Sequence, residues 1–166
     1  MYDELIISWT ARIAVACYVG RLLCDAGDSP QYLARAWWTA GCVWFLIHVV
    51  VAFHFQHHWS HSAALEYTTR RTAEMTGWSS GAGLYVNYAF LIIWLADTLI
   101  WWWCPQWPEN RLAYWTVQSI FAFLMFQATY IFGPPVWKPI SLLVLLTLAG
   151  RKVWSLRVHQ TQALTD

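Results

Sequence analysis

Five of the six histidines of this sequence lie between positions 48 and 61, and four of them form the pattern H-x-x-H-H-x-x-H. If this segment is a single helix, the four imidazoles fall within an arc of about 100° and form two i,i+4 pairs. Neutral imidazole is a common ligand of zinc, copper, iron and nickel. The stripe therefore predicts one bound transition ion, zinc or copper in preference to iron, held by His54, His57, His58 and His61.

Other interpretations of this stripe stay open, namely a pH-sensitive or proton-handling surface, or a polar helix edge among lipid headgroups. Glu66 and Glu74 lie in a run of alternating charges typical of a solvated helix surface, although either carboxylate could complete a metal site if that helix folds back. His48 is interpreted as a buried, hydrogen-bonded histidine or a lone axial ligand. A haem held between two helices is not expected, because every histidine except His159 belongs to the second helix or its extension.

The composition indicates what must position these residues. The chain has 166 residues, of which 58% are hydrophobic and only 11% are charged, against about 25% charged residues in soluble proteins. Four stretches reach the length of about 20 apolar residues that a span needs, residues 5–24, 37–59, 83–103 and 112–132, and residues 139–154 predict a short fifth span. The sequence thus predicts one all-α domain, residues 1–166, an integral membrane bundle of four to five transmembrane helices.

The distribution of charge predicts partners and orientation. A net charge of +1 without any basic run argues against a nucleic-acid partner, so the predicted partner is the lipid bilayer, and no protein partner is indicated. Basic residues favour the cytoplasmic side of short loops. With the N-terminus outside, the loops and helix ends on the inner side contain six basic residues, Arg21, Arg35, Arg111, Arg151, Lys152 and Arg157. The outer side then contains three, Arg70, Arg71 and Lys138. We therefore expect an outer N-terminus and a cytoplasmic C-terminus.

Polar residues within the predicted spans fall into two layers when their depths are compared at about 1.5 Å per residue. The layer roughly 6–11 Å below the outer edge of the spans consists of Arg12, His54, Asn87 and Gln127, and the layer at roughly 21–24 Å consists of Arg21, Asp97 and Gln118. A carboxylate buried in a span needs a partner to stay ionised. The sequence therefore predicts that Asp97 pairs with Arg21.

Two resemblances follow from these motifs. The H-x-x-H-H string of residues 54–58 resembles one histidine box of membrane fatty-acid desaturases and hydroxylases, whose di-iron centre needs three boxes, and the other two boxes are absent from this sequence. More broadly, the chain resembles small bacterial multi-pass membrane proteins of uncharacterised function. The motifs that carry this likeness are Trp9-Thr10-Ala11-Arg12, His57-His58-Trp59-Ser60-His61, Thr69-Arg70-Arg71-Thr72-Ala73-Glu74 and Asn87-Tyr88-Ala89-Phe90. The likeness implies the bacterial inner membrane as location and implies no chemistry.

Three functions are compatible with this pattern. The first is a non-enzymatic metal-handling or accessory membrane protein, the second a metal-dependent membrane oxidoreductase or oxygenase, and the third a structural subunit of a membrane complex. The sequence contains no Ser/His/Asp or Cys/His constellation and no glycine-rich phosphate loop, which argues against an enzyme. The polar layer beneath the histidines argues for one. Whether the chain is an enzyme stays open, and no catalytic residue is identified.

Overall fold

The computed structural model describes residues 2–27, 29–131 and 135–162, with side chains except at positions 131, 137 and 152–162. The chain is all-α, and these ranges contain no strand. The helices are α1 (Tyr2–Asp25), α2 (Gln31–Phe55), α3 (His61–Thr76), α4 (Ala82–Trp103), α5 (Arg111–Phe126) and α6 (Trp137–Gln162). A 3₁₀ turn, Trp107–Glu109, precedes α5, and a π-helical segment, Gln127–Ile131, continues it.

Three helices, α1, α2 and α4, are long and apolar enough to cross a membrane. These helices overlap the first three predicted spans, and their length and composition are those expected of a membrane protein. The predicted span 112–132 is divided between the 16 residues of α5 and the five residues of the π-helical segment. At about 1.5 Å per residue, α5 alone measures about 24 Å and falls short of the hydrocarbon core of about 30 Å. Three helices are therefore long and apolar enough to span a membrane, and the prediction of four to five spans is not confirmed.

The core of the bundle is aromatic rather than aliphatic. Trp38 of α2, Trp94 of α4 and Phe121 of α5 are fully buried, and the Trp38 ring lies 5.2 Å from Trp94 and 4.6 Å from Phe121. Aromatic pairs at such separations stabilise a core beyond the area that they bury. Room for these rings comes from Gly41, where an added Cβ would lie 2.6 Å from the Trp94 ring. The small residue allows α2 and α4 to approach each other closely.

The exterior of the helices is apolar. Large aliphatic side chains are exposed on α2, α4 and α6, among them Val43, Leu46 and Val50, Ile92, Leu95 and Leu99, and Leu142, Leu143, Leu145 and Leu146. An apolar surface of this extent on a soluble monomer would promote aggregation, whereas hydrocarbon solvates it at no cost. The exposed surface is thus the one that a bilayer requires.

The second helix ends earlier than the sequence predicts. We expected a continuous helix through the histidine stripe, and this expectation is wrong, because α2 ends at Phe55 and the backbone of His58 and Trp59 takes left-handed φ values of 47° and 60°. Ser60 then caps α3, its Oγ accepting a hydrogen bond from the Ala63 N–H at 3.2 Å. The helix α3 ends at the C-cap Gly77, whose left-handed φ of 76° suits a glycine.

Candidate functional site

The break between α2 and α3 separates the four predicted metal ligands. His54 ends α2, His57 and His58 lie in the turn, and His61 begins α3. The His54 Nδ1 accepts a hydrogen bond from the Trp59 indole at 3.3 Å, while the His61 Nδ1 lies 3.2 Å from the Tyr88 hydroxyl of α4. The two i,i+4 pairs of the predicted stripe are therefore not formed.

His57 is the one member of this group that the structure buries, with 8% of its surface exposed. Its imidazole packs edge-on against the rings of Phe53 on α2 and Tyr67 on α3, at centroid distances of 5.5 Å and 5.4 Å. Burial, and secondarily the neighbouring His58, hold the pKa of His57 below its ordinary value. A neutral His57 thus serves as a packing residue between α2 and α3.

The structure shows how the side chains predicted to bind a metal ion are arranged. No group of three or more His, Cys, Asp or Glu side chains that could hold a metal occurs within residues 2–27, 29–131 and 135–151. The carboxylate of Glu74 is paired with Arg71 at 3.3 Å and with Arg70 at 4.0 Å, and Glu66 is exposed on α3. A bound zinc or copper ion stays a prediction, but a ligand set drawn from one continuous helix face is wrong. The side chain of His159 lies outside the described residues.

The outer polar layer does not converge on one site. Arg12 stacks over the Trp9 ring of its own helix at 5.1 Å, Asn87 is exposed on α4, and Gln127 begins the π-helical segment. Within the described part of the chain, no hydrogen bond joins any two members of this layer, including His54. His48, which is not a member of this layer, does form hydrogen bonds between α2 and α1. Its Nδ1 lies 3.1 Å from the Ile7 carbonyl and 3.2 Å from the Thr10 hydroxyl. His48 is accordingly a half-buried, hydrogen-bonded histidine, which favours the first of the two interpretations left open.

The inner polar layer, in contrast, shares one cavity. Arg21 of α1, Asp97 of α4 and Gln118 of α5 line it, together with Trp101, Trp107 and Tyr114. The cavity lies at the end of the bundle where α1 and α4 finish and α5 begins. Two local features form this end of the bundle, the 3₁₀ turn that contains Pro108 and the N-cap of α5. The cap is Asn110, whose Oδ1 accepts a hydrogen bond from the Ala113 N–H at 3.2 Å.

Arg21 is the centre of this region and is 3% exposed. Its guanidinium lies over three rings, Trp38 at 4.7 Å, Tyr114 at 5.3 Å and Trp101 at 5.4 Å. Its Nη1 lies 3.1 Å from the Oδ2 of Asp25, which also accepts a hydrogen bond from the Tyr114 hydroxyl at 3.0 Å. The direct ion pair predicted between Arg21 and Asp97 is not formed, because the carboxylate one helical turn away on α1 takes that position.

Asp97 is instead bonded through the 3₁₀ turn. The Trp107 indole donates to its Oδ1 at 2.8 Å, and the turn folds back beneath α4 to make this contact. Between α1 and α5, the Tyr18 hydroxyl donates a hydrogen bond to the Oε1 of Gln118 at 3.4 Å. Sequence reasoning missed both Asp25 and Trp107. The i,i+4 spacing of Arg21 and Asp25 is a sequence signal for the first contact, whereas nothing in the sequence brings Trp107 to Asp97.

The chemistry of the cavity is that of hydrogen bonding and charge. It contains a cation, a carboxylate, an amide, a phenol and two indoles, and it lacks a nucleophile paired with a base. Comparison with known proteins adds no assignment, because no family model, curated protein or solved structure matches this chain.

Proposed function

We propose that this chain is a multi-pass integral membrane protein that acts without catalysis of its own, as an accessory or structural component of the bacterial inner membrane. The observation that carries this proposal is the setting of Arg21. Rings from α2, α4 and α5 surround a guanidinium carried by α1, so that one buried charge on α1 contacts three other helices. Cation–π contacts are strongest when the cation is desolvated, and here they hold the helices in one packing arrangement.

A fourth crossing is part of this proposal. The helical stretch from Arg111 to Ile131 measures about 30 Å at roughly 1.5 Å per residue, close to the thickness of the hydrocarbon core. Its residues Phe121 and Met125 belong to the buried core of the bundle. In this arrangement α3 lies at the membrane surface, because its exposed side chains include Arg70 and Glu74. Charged side chains of this kind favour the aqueous interface over hydrocarbon.

The proposed orientation places the N-terminus outside and the C-terminus in the cytoplasm. The end of the bundle that carries the Arg21 cavity then faces the cytoplasm, with Arg35 and Arg111 beside it and Arg151 of α6 approaching Gly27. Such a cluster of basic residues on one side is what the positive-inside rule predicts. The side chains of Lys152 and Arg157, which entered the same count, lie outside the described residues.

Membrane extraction and reporter fusions test the proposal. The protein should stay in the membrane pellet under alkaline carbonate, and fusions within residues 104–110 should report a cytoplasmic location. Fusions within residues 78–81, between α3 and α4, should report an outer location and serve as the matched control. A cytoplasmic signal from residues 78–81 would reverse the orientation, and release by carbonate would contradict the integral membrane assignment.

Substitution of Arg21 tests the structural role. Arg21→Lys keeps the charge but loses the flat guanidinium that stacks on the rings, so the folded protein should accumulate at a reduced level. Arg35→Lys, on the half-exposed first turns of α2, is the control and should accumulate normally. Normal accumulation and stability of Arg21→Lys would show that the stacked guanidinium does not hold the bundle together.

A further inference from the structure

Two buried side chains that line the inner cavity have hydrogen-bond donors without a partner. They are Arg21, at its Nε and Nη1, and Trp101, at its Nε1, and both residues are at most 3% exposed. Nη1 is close to Asp25 but lacks the alignment of a hydrogen bond. An unsatisfied buried donor costs roughly 1–3 kcal/mol, so buried donors of native proteins almost always have an acceptor. The cavity therefore needs an acceptor that the described side chains do not supply.

The charged side chains around Arg21 limit which hydrogen-bond acceptor the cavity can bind. One guanidinium faces two carboxylates, those of Asp25 and Asp97. A further anion would be repelled by the second carboxylate, and a metal cation would face the N–H groups of Arg21 and Trp101. A neutral group that accepts from the donors and donates to Asp97 meets neither obstacle.

The size of the cavity narrows the choice further. Its free volume is about 10 Å³, close to the minimum of roughly 10–15 Å³ that one water molecule requires. A buried water also needs two to four polar partners. Arg21, Trp101 and Asp97 provide them from α1 and α4.

We propose that the cavity binds one water molecule, which accepts hydrogen bonds from Arg21 and Trp101 and donates one to the carboxylate of Asp97. The water joins the two inner-layer charges that are not in direct contact. It also gives Asp97 a partner in addition to the Trp107 indole. The binding site does not depend on the orientation of the chain in the membrane.

A double-mutant cycle on the full-length protein in detergent tests this site. Trp101→Phe removes the indole donor, and Asp97→Asn removes the carboxylate. If a water joins them, the two changes should deviate from additivity by about fivefold in the unfolding equilibrium constant. Trp94→Phe is the matched control, because its indole donates to the Trp38 carbonyl instead. Its cycle with Asp97→Asn should close within about twofold, and the same closure for Trp101→Phe would overturn the proposal.

Two measurements that do not use Trp101→Phe decide the matter even if that variant does not fold. Infrared spectroscopy should show an O–H band that shifts in H₂¹⁸O and disappears in Asp97→Asn, and its absence from wild-type protein would overturn the proposal. Thermal melts in chloride and in gluconate should coincide. Stabilisation by chloride, rising with its concentration as for a ligand bound to the native state, would replace the water with an anion.

Discussion

Replacing Arg21 by Met should lower the free energy of unfolding by about 3 kcal/mol. Removing one partner of a buried ion pair costs about 3–5 kcal/mol, because the other charge is left uncompensated. The Asp25 side chain is 25% exposed, which places the expected loss at the lower end of that range. At about 0.5–2 kcal/mol for each contact, the three ring contacts together give a range of about 1.5–6 kcal/mol, which includes this figure. The two estimates describe the same side chain and are not added.

Arg35→Met is the matched control for this prediction. Its guanidinium lies 4.2 Å above one ring, that of Trp102, which is 51% exposed. A single exposed contact of this kind contributes about 0.5–1 kcal/mol. Unfolding by sodium dodecyl sulfate in mixed micelles, followed by circular dichroism, measures both variants. Equal losses of stability for Arg21→Met and Arg35→Met would refute the reasoning that the buried guanidinium holds the helices together.

Three further changes have expected outcomes in the same unfolding assay. Gly41→Ala should cost about 1–3 kcal/mol by overpacking α2 against α4, whereas Gly150→Ala, with nothing within 4 Å of the new Cβ, should not destabilise. Trp107→Phe should cost about 1.5–3 kcal/mol by removing a hydrogen bond to a carboxylate, and the same change at Trp103, which is 79% exposed, should cost little. The pKa of His57 is lowered on folding, so stability is present above about pH 6.5 and falls as the pH drops from there towards the folded pKa. Melts at about pH 7.5 and about pH 5.5 should differ for this reason, and His57→Phe should remove that part of the difference.

The long helices could be predicted from the sequence because their signal is strong and local. The predicted span 83–103 agrees with α4 nearly to the residue, and span 5–24 lies within α1. The turn after α2 could not be predicted in this way, since tryptophan does not favour a left-handed backbone and histidine, although enriched there, adopts it at only a minority of its positions. Ser60, a residue type that favours the N-cap, is a local sequence signal for the start of α3.

The candidate site was predicted in part for a similar reason. Counting residues along each span gives depth, and depth alone brings Arg21, Asp97 and Gln118 to one level of the bundle. It does not give the rotation of each helix, which decides that Arg21 faces three rings of the neighbouring helices. Nor does it describe a loop that folds back, as the one containing Trp107 does.

The predicted metal ion can be tested against this geometry. If zinc or copper binds through His54 and His58 together, residues 56–59 must refold into helix to align the two imidazoles. Elemental analysis of protein purified without an affinity tag should then find the metal, and added zinc should slow amide exchange in that turn. Metal content unchanged by the double substitution of both histidines with Ala would exclude these ligands.

The pairing of Arg21 with Asp25 has a consequence for biosynthesis. Arg21 lies one turn before the end of α1, so it costs less to insert than the roughly 2.5–3.5 kcal/mol of an arginine at a helix centre, but the cost is still unfavourable. Two of its aromatic partners, Trp101 and Tyr114, are synthesised long after α1 has left the ribosome. At roughly 5–20 residues per second, several seconds pass before they are available. Asp25 arrives four residues after Arg21, on the same helix, 3.1 Å away in the finished fold. The nascent helix therefore carries its own counter-ion into the bilayer, and the later helices enclose a charge that is already neutralised.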